Sequence, residues 1–132
     1  MITRQIEQFF KSPSFAVLGA SSNRAKYGNK VVRCYLQNGK KVYPVNPRES
    51  LIEELPVIHS IKDLPDEVKS ISIITPPQIT EEIVSEAIKK GIKNIWMQPG
   101  AESEQSIQNC EAHKINIIAG GPCILVALGF KE

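Results

Sequence analysis

Between two glycines, Gly19 and Gly28, the chain reads G-A-S-S-N-R-A-K-Y-G, directly after the apolar run F-A-V-L. Gly19 lets the end of a strand turn tightly. Ser21 and Ser22 bring hydroxyls and exposed backbone N–H groups, and Arg24 and Lys26 bring positive charge. A helix opening near Gly28 would aim its N-terminal N–H groups at the same place. Such a set suits a phosphate or diphosphate. A solvated turn of ordinary polar residues is the plainer alternative, and the position after the first strand favours the anion site. The spacing excludes two standard nucleotide loops. Ser21 and Arg24 stand where G-x-G-x-x-G requires glycines, and no G-K-[ST] follows.

Four other short segments carry residues of interest. Asn46-Pro47-Arg48 closes a second extended run, where a dinucleotide-binding protein usually places a carboxylate for the ribose hydroxyls. None is offered until Glu49, and Arg48 instead favours a phosphorylated ribose, which leaves the 3′-phosphate of coenzyme A and the 2′-phosphate of NADP both open. Thr75-Pro76-Pro77 and Gln98-Pro99-Gly100 are rigid turns whose prolines offer apolar surface to an adenine or a pantetheine, although proline also simply starts helices. Cys123 follows a Gly-Gly-Pro turn and is the one thiol on a loop, with an inert buried cysteine as the plainer reading. Cys34 and Cys110 fall on apolar helix faces and Trp96 in a strand, and all three read as core. His59 and His113 lie on a long irregular connection and a weak helix, away from the expected crevice. Glu81 and Glu82 read as first-turn acids offsetting a helix dipole.

The elements that must position these segments alternate. A short amphipathic helix spans about Thr3 to Lys11, with Ile6, Phe9 and Phe10 on one side. Strands are predicted at F-A-V-L-G-A, K-V-Y-P-V-N-P, S-I-S-I-I-T-P-P, N-I-W-M and I-N-I-I-A. Pro44 is awkward inside the second, because it donates nothing to a ladder. Helices lie between them, around Val31–Leu36, Ile79–Ile88 and Glu102–Lys114. Arg48 to Lys69 reads as irregular, anchored by Ile58 and Ile61, and Ile124 to Phe130 fits either helix or strand. This spacing matches βαβ units. The expectation is an α/β, Rossmann-like doubly wound sheet of about five parallel strands in the order 3-2-1-4-5, helices on both faces. The ligand crevice then lies outside the carboxyl ends of the strands, where all five segments converge.

The chain has 132 residues, 42% hydrophobic and 23% charged, with a net charge of +2. That is ordinary usage for one globular domain spanning 1–132. The small charge and the lack of a Lys/Arg cluster argue against a nucleic-acid surface. No apolar run approaches the roughly 18 residues of a membrane span, and the N-terminus carries Arg4 and Glu7 where a signal peptide would be apolar. The default expectation is therefore a cytoplasmic protein, and three cysteines without C-x-x-C spacing argue against a disulfide framework and structural zinc.

The ordered set G-A-S-x(4)-K-Y-G, V-N-P-R, I-I-T-P-P, W-M-Q-P-G-A-E-S-E and the late Cys123 resembles the small stand-alone CoA-binding domain family. That family is similar to the CoA-binding domain opening the alpha chain of succinyl-CoA synthetase. The resemblance runs from about Phe15 to Cys123. It implies that Gly19, Ala20, Ser21, Lys26, Tyr27 and Gly28 form a phosphate loop, and that Asn46, Pro47 and Arg48 border the adenosine and its 3′-phosphate. Thr75, Pro76 and Pro77 would line one wall, with Gln98 and Gly100 near the pantetheine path. Pro122 stands where the family usually has Arg before the late Cys. The expected function is binding of coenzyme A or an acyl-CoA by a carrier or regulatory module without catalytic residues or metal. The alternatives are an NADP-binding oxidoreductase fragment, a subunit completing an acyl-CoA synthetase in trans, and an interaction domain that has lost the ligand. A homo-oligomer or an acyl-CoA enzyme partner is left open.

Overall fold

The computed structural model describes residues 2–132. Five parallel strands form the central sheet: β1 (Phe15–Leu18), β2 (Val42–Val45), β5 (Ser70–Ile73), β6 (Asn94–Met97) and β7 (Asn116–Ile118). A two-stranded hairpin, β3 (Leu51–Ile52) and β4 (Leu55–Pro56), interrupts the connection predicted to be irregular. Five α-helices, α1 (Ile2–Phe9), α2 (Tyr27–Gln37), α3 (Pro77–Lys90), α4 (Glu104–Ala112) and α5 (Ile124–Ala127), and a short 3-10 helix (Ile61–Asp63) complete the described residues.

Period-two alternation within β1 feeds two cores, one on each face of the sheet. Phe15 and Val17 face α1, α2 and α5, packing with Phe9, Val31, Tyr35, Trp96 and Ile118. Ala16 and Leu18 face α3 and α4, with Ile71, Ile73, Val84, Ile95 and Cys110. The fully buried serines of β5 face the aromatic side, where a small residue leaves room for a large partner. Ser72 Oγ meets Tyr35 Oη at 2.6 Å, and Ser70 Oγ donates to the Phe9 carbonyl at 2.6 Å.

The fold class is as expected, but the strand order is β2-β1-β5-β6-β7. Counted as predicted, that is 2-1-3-4-5 rather than 3-2-1-4-5, so the second strand lies at the edge. Pro44 supplies the reason. Its carbonyl accepts from Ile58 N on the side away from β1, so its missing N–H also lies outward and no sheet bond is lost. Between two neighbours the same residue would leave a carbonyl of the second one unpaired. At the other edge α1 packs over β7, with Gln5 Nε2 donating to the Ile117 carbonyl at 2.8 Å and Asn116 Nδ2 to the Gln5 carbonyl at 2.9 Å. Among the described residues no helix is long and apolar enough to cross a membrane.

Candidate functional site

In this order the switch point falls between β1 and β5, the first two strands to diverge to opposite sides of the chain's path. There the backbone is packed too closely for side chains. Gly19 has φ +96°, and a Cβ on it would lie 2.1 Å from the Ile74 carbonyl oxygen. A Cβ on Gly28 would lie 2.0 Å from the Gly19 carbonyl oxygen. The two glycines thus let the end of β1, the end of β5 and the first turn of α2 meet. Lys26 caps α2 with extended backbone and no side-chain bond. Tyr27 and Gly28 N–H make no hydrogen bond among the described residues, as expected of a helix start open to an anion.

The other loop residues are engaged locally. Ala20 is buried and contributes its backbone. Ser21 Oγ accepts from Asn23 N at 3.0 Å, and its carbonyl accepts from Asn29 Nδ2 at 2.9 Å. Ser22 N donates to Glu49 Oε2 at 3.0 Å. Arg24 is paired with Glu53. Glu53 also accepts from Asn29 at 3.0 Å, Asn29 accepts from Arg33 Nε at 2.6 Å, and Arg33 donates to the Arg24 carbonyl at 2.8 Å. Bonding by Ser22 holds the Glu49 carboxyl below its usual value, helped by Lys26. Asn29, with Arg24 and Arg33, does the same to Glu53.

At the end of β2, Asn46 is a brace. Its Oδ1 accepts from Arg48 N and Glu49 N, and its Nδ2 reaches the Ala20 carbonyl at 2.9 Å. Pro47 and Arg48 stand exposed beyond it. Thr75 and Pro76 line a cleft of about 290 Å³ with Ile74, Pro99, Gly100 and Ala101. Pro77 is the first residue of α3 and is outside that lining. Gln98 sits beneath, 1% exposed. Its Oε1 accepts from Tyr27 Oη at 3.1 Å and from Ile124 N at 3.0 Å, while its Nε2 is buried without a partner. Cys123 Sγ touches Tyr27 Oη and is half-buried. The preceding Pro122 carbonyl accepts from Trp96 Nε1 at 3.0 Å, which draws the Gly-Gly-Pro turn onto β6. Burial, reinforced by Cys123, keeps the Tyr27 phenol protonated far above its ordinary range.

The predicted segments therefore converge on one edge, in two parts: the loop with the end of β2, and the cleft with the Tyr27–Gln98–Cys123 cluster. Sequence reasoning missed Glu49 and Glu53 as partners of the loop. The available signal was the polar pair Asn29 and Arg33, four apart on a buried helix face. His59 comes nearer than expected, its Nε2 lying 3.1 Å from the Glu49 carbonyl. Glu81 lies just past the first turn of α3, and its Oε2 accepts from Ser103, so it braces the start of α4 instead of the helix dipole. A hollow of about 420 Å³ between Ser60, Lys62, Glu86, Lys89 and Lys90 lies by the C-terminal end of α3, away from this edge. Among the described residues no cluster of His, Cys, Asp and Glu could hold a metal.

Residues 13–129 match the model of a family described as a CoA binding domain. Acetate–CoA ligase (ADP-forming) II of Archaeoglobus fulgidus is 38% identical over 108 residues, which are 80% of this chain and 16% of that protein. The alpha subunit of acetate–CoA ligase (ADP-forming) II of Pyrococcus furiosus is 33% identical over 91 residues, 68% of this chain and 20% of the subunit. The chain thus spans a fifth or less of the length of these relatives. A solved structure of a conserved hypothetical protein from Pyrococcus furiosus superposes with a TM-score of 0.82 at 38% identity, covering 86% of this chain and 97% of that one.

Proposed function

Since the chain belongs to the CoA binding domain family, we propose that it holds coenzyme A or an acyl-CoA along the carboxyl edge, as a binding, carrier or regulatory module. The first turn of α2, with Lys26, takes the diphosphate. Gly19, Ala20, Ser21 and Ser22 shape the approach, and Asn46, Pro47 and Arg48 border the adenosine, Arg48 meeting the 3′-phosphate. Thr75 and Pro76 form the apolar wall, Pro77 starts α3 behind them, and Gly100 forms the far side. The pantetheine arm runs toward Gln98 and Cys123, where the unpartnered Gln98 Nε2 is a donor without an acceptor. One observation carries this reading. Gly19 and Gly28, neither with room for a Cβ, bring an uncapped helix start to the switch point of a chain whose family is defined by this coenzyme.

The test is a thermal-shift and calorimetric series with coenzyme A, dephospho-CoA, NADP and NAD. Coenzyme A at a hundredfold over its Kd stabilises by about 2.7 kcal/mol. Its Kd is lower than that of dephospho-CoA by about tenfold, the scale of one charge-assisted contact, and Arg48→Ala erases that difference. Equal affinities in the unaltered protein overturn the role of Arg48. A larger shift with NADP overturns the coenzyme.

One observation favours a second reading. The relative in Pyrococcus furiosus is a subunit of a ligase, and this chain covers only a fifth of it. On that reading the bound coenzyme is presented in trans to a partner carrying the remaining machinery, in the cytoplasm.

A further inference from the structure

The loop assigned to the diphosphate carries two carboxylates of its own chain. Glu49 lies three residues after Asn46, which bonds its N–H and so turns the chain back toward the loop. Its carboxylate accepts from Ser22 N at 3.0 Å and lies close enough to Lys26 to feel its charge. His59 Nε2 approaches its backbone carbonyl from β4's side. Glu53 forms the tip of the β3–β4 hairpin with Glu54. Both have left-handed backbone, φ 49° and 66°, which L residues with long side chains rarely adopt. That turn is held by the partners of Glu53 on α2 and the loop, namely Asn29 and Arg24, backed by Arg33.

The two carboxylates are not equivalent. Glu53 has an amide and a guanidinium as partners, a strained turn beneath it, and only 17% of its side chain exposed. Glu49 has a single loop residue, Ser22, which serves it with its hydroxyl and its backbone N–H. A carboxylate on a backbone N–H is the anion a protein can supply itself, in the geometry a phosphate oxygen would use. We propose that Glu49 is a displaceable internal anion, occupying Ser22 N–H beside Lys26 in the ligand-free chain and expelled when the diphosphate enters. Glu53 stays in place, holding Arg24 and the loop in shape. The inference rests on the coenzyme reading above and adds what regulates that site. Arg24 is accordingly a positioning residue, and the loop favours ligands with enough charge to displace a carboxylate.

The experiment measures Kd for coenzyme A by calorimetry on the full chain and on Glu49→Gln and Glu53→Gln. Removing the competing charge tightens binding in Glu49→Gln by about fivefold, the effect of one like charge about 4 Å away in solvent. Glu53→Gln weakens binding. Unchanged or weaker binding in Glu49→Gln overturns the proposal, since Glu49 would then be a bystander or a ligand contact. Failure of every variant, and of the unaltered chain, to bind coenzyme A overturns the coenzyme reading instead. The latch then stands or falls on the ligand-free protein, by the Ser22 amide resonance through the acid titration. The titration is run also in His59→Gln, so that the imidazole is not mistaken for the carboxyl. A Ser22 amide that moves with Glu49 in both supports the latch, and one that ignores it overturns it.

Discussion

Single atoms decide the shape of this site, and the two glycines show it most sharply. Gly28 sits in helical backbone that any residue could adopt, yet a methyl group there would lie 2.0 Å from a carbonyl oxygen. Neither that carbonyl nor the helix start can retreat without opening the end of β1. Gly28→Ala should therefore cost at the upper end of the roughly 1–3 kcal/mol of a forced backbone shift, measured by denaturant unfolding, and should weaken coenzyme binding as well. A neutral result would mean that α2 and β1 separate freely, which their shared core contradicts. The same scale shows what residue type alone does not say about Arg24. Its charge suits a phosphate, but Glu53 already neutralises it, and only the fold reveals that partner.

Among the elements, α4 is the one whose sequence pattern was weakest, and its start is secured by polar contacts more than by burial. Ser103 accepts from Ser106 N at 3.1 Å as an N-cap and touches Glu81 on α3 at 2.9 Å. Ser103→Ala removes the cap and should lower stability by about 1 kcal/mol, with no change in coenzyme affinity, since no site segment leans on it. Calorimetric melting together with a binding isotherm checks both halves. Elements also explain which predictions survived. Runs such as F-A-V-L and N-I-W-M show apolar continuity that only a strand covered on both faces needs. The hairpin β3–β4 was not legible, because its turn is Glu53-Glu54 and lacks the Asn-Gly or Asp-Gly signature. Long-range bonds to α2 hold a turn that local propensity would not choose.

For the molecule as a whole, pH reports how well the two cores are closed. Burial pushes the thiols of Cys34 and Cys110 up to about 11. Their protonated form is the one the fold favours, so this contribution is complete below the ordinary thiol value, about 8.5, and is lost as pH rises through about 11. Glu49 and Glu53 are shifted the other way. Their contribution is present above the ordinary Glu value, about 4.3, and disappears as pH falls through their lower folded values. The melting temperature should hold level between about pH 6 and 8 and fall on both sides. Circular dichroism melts across pH check this, and a melting temperature still rising between about pH 9 and 10 would contradict sealed thiols.

The sequence alone determined the alternation of strand and helix, the apolar runs that become strands covered on both faces, and the glycines that frame the loop after β1. Those are local properties, written in periodicities of two and 3.6 residues and in turn residues at strand ends. It put the fourth predicted strand beside β1 where the structure puts the third, because crossovers in either direction along the sheet satisfy the same periodicity. Tertiary structure decided this by putting Pro44 at an edge, where its missing N–H costs no ladder bond. It also decided which charges are free at the carboxyl edge. Ser22 and Glu49 are 27 residues apart, and Arg24 and Glu53 are 29 apart. Such pairs form only once the sheet has brought the ends of β1 and β2 side by side.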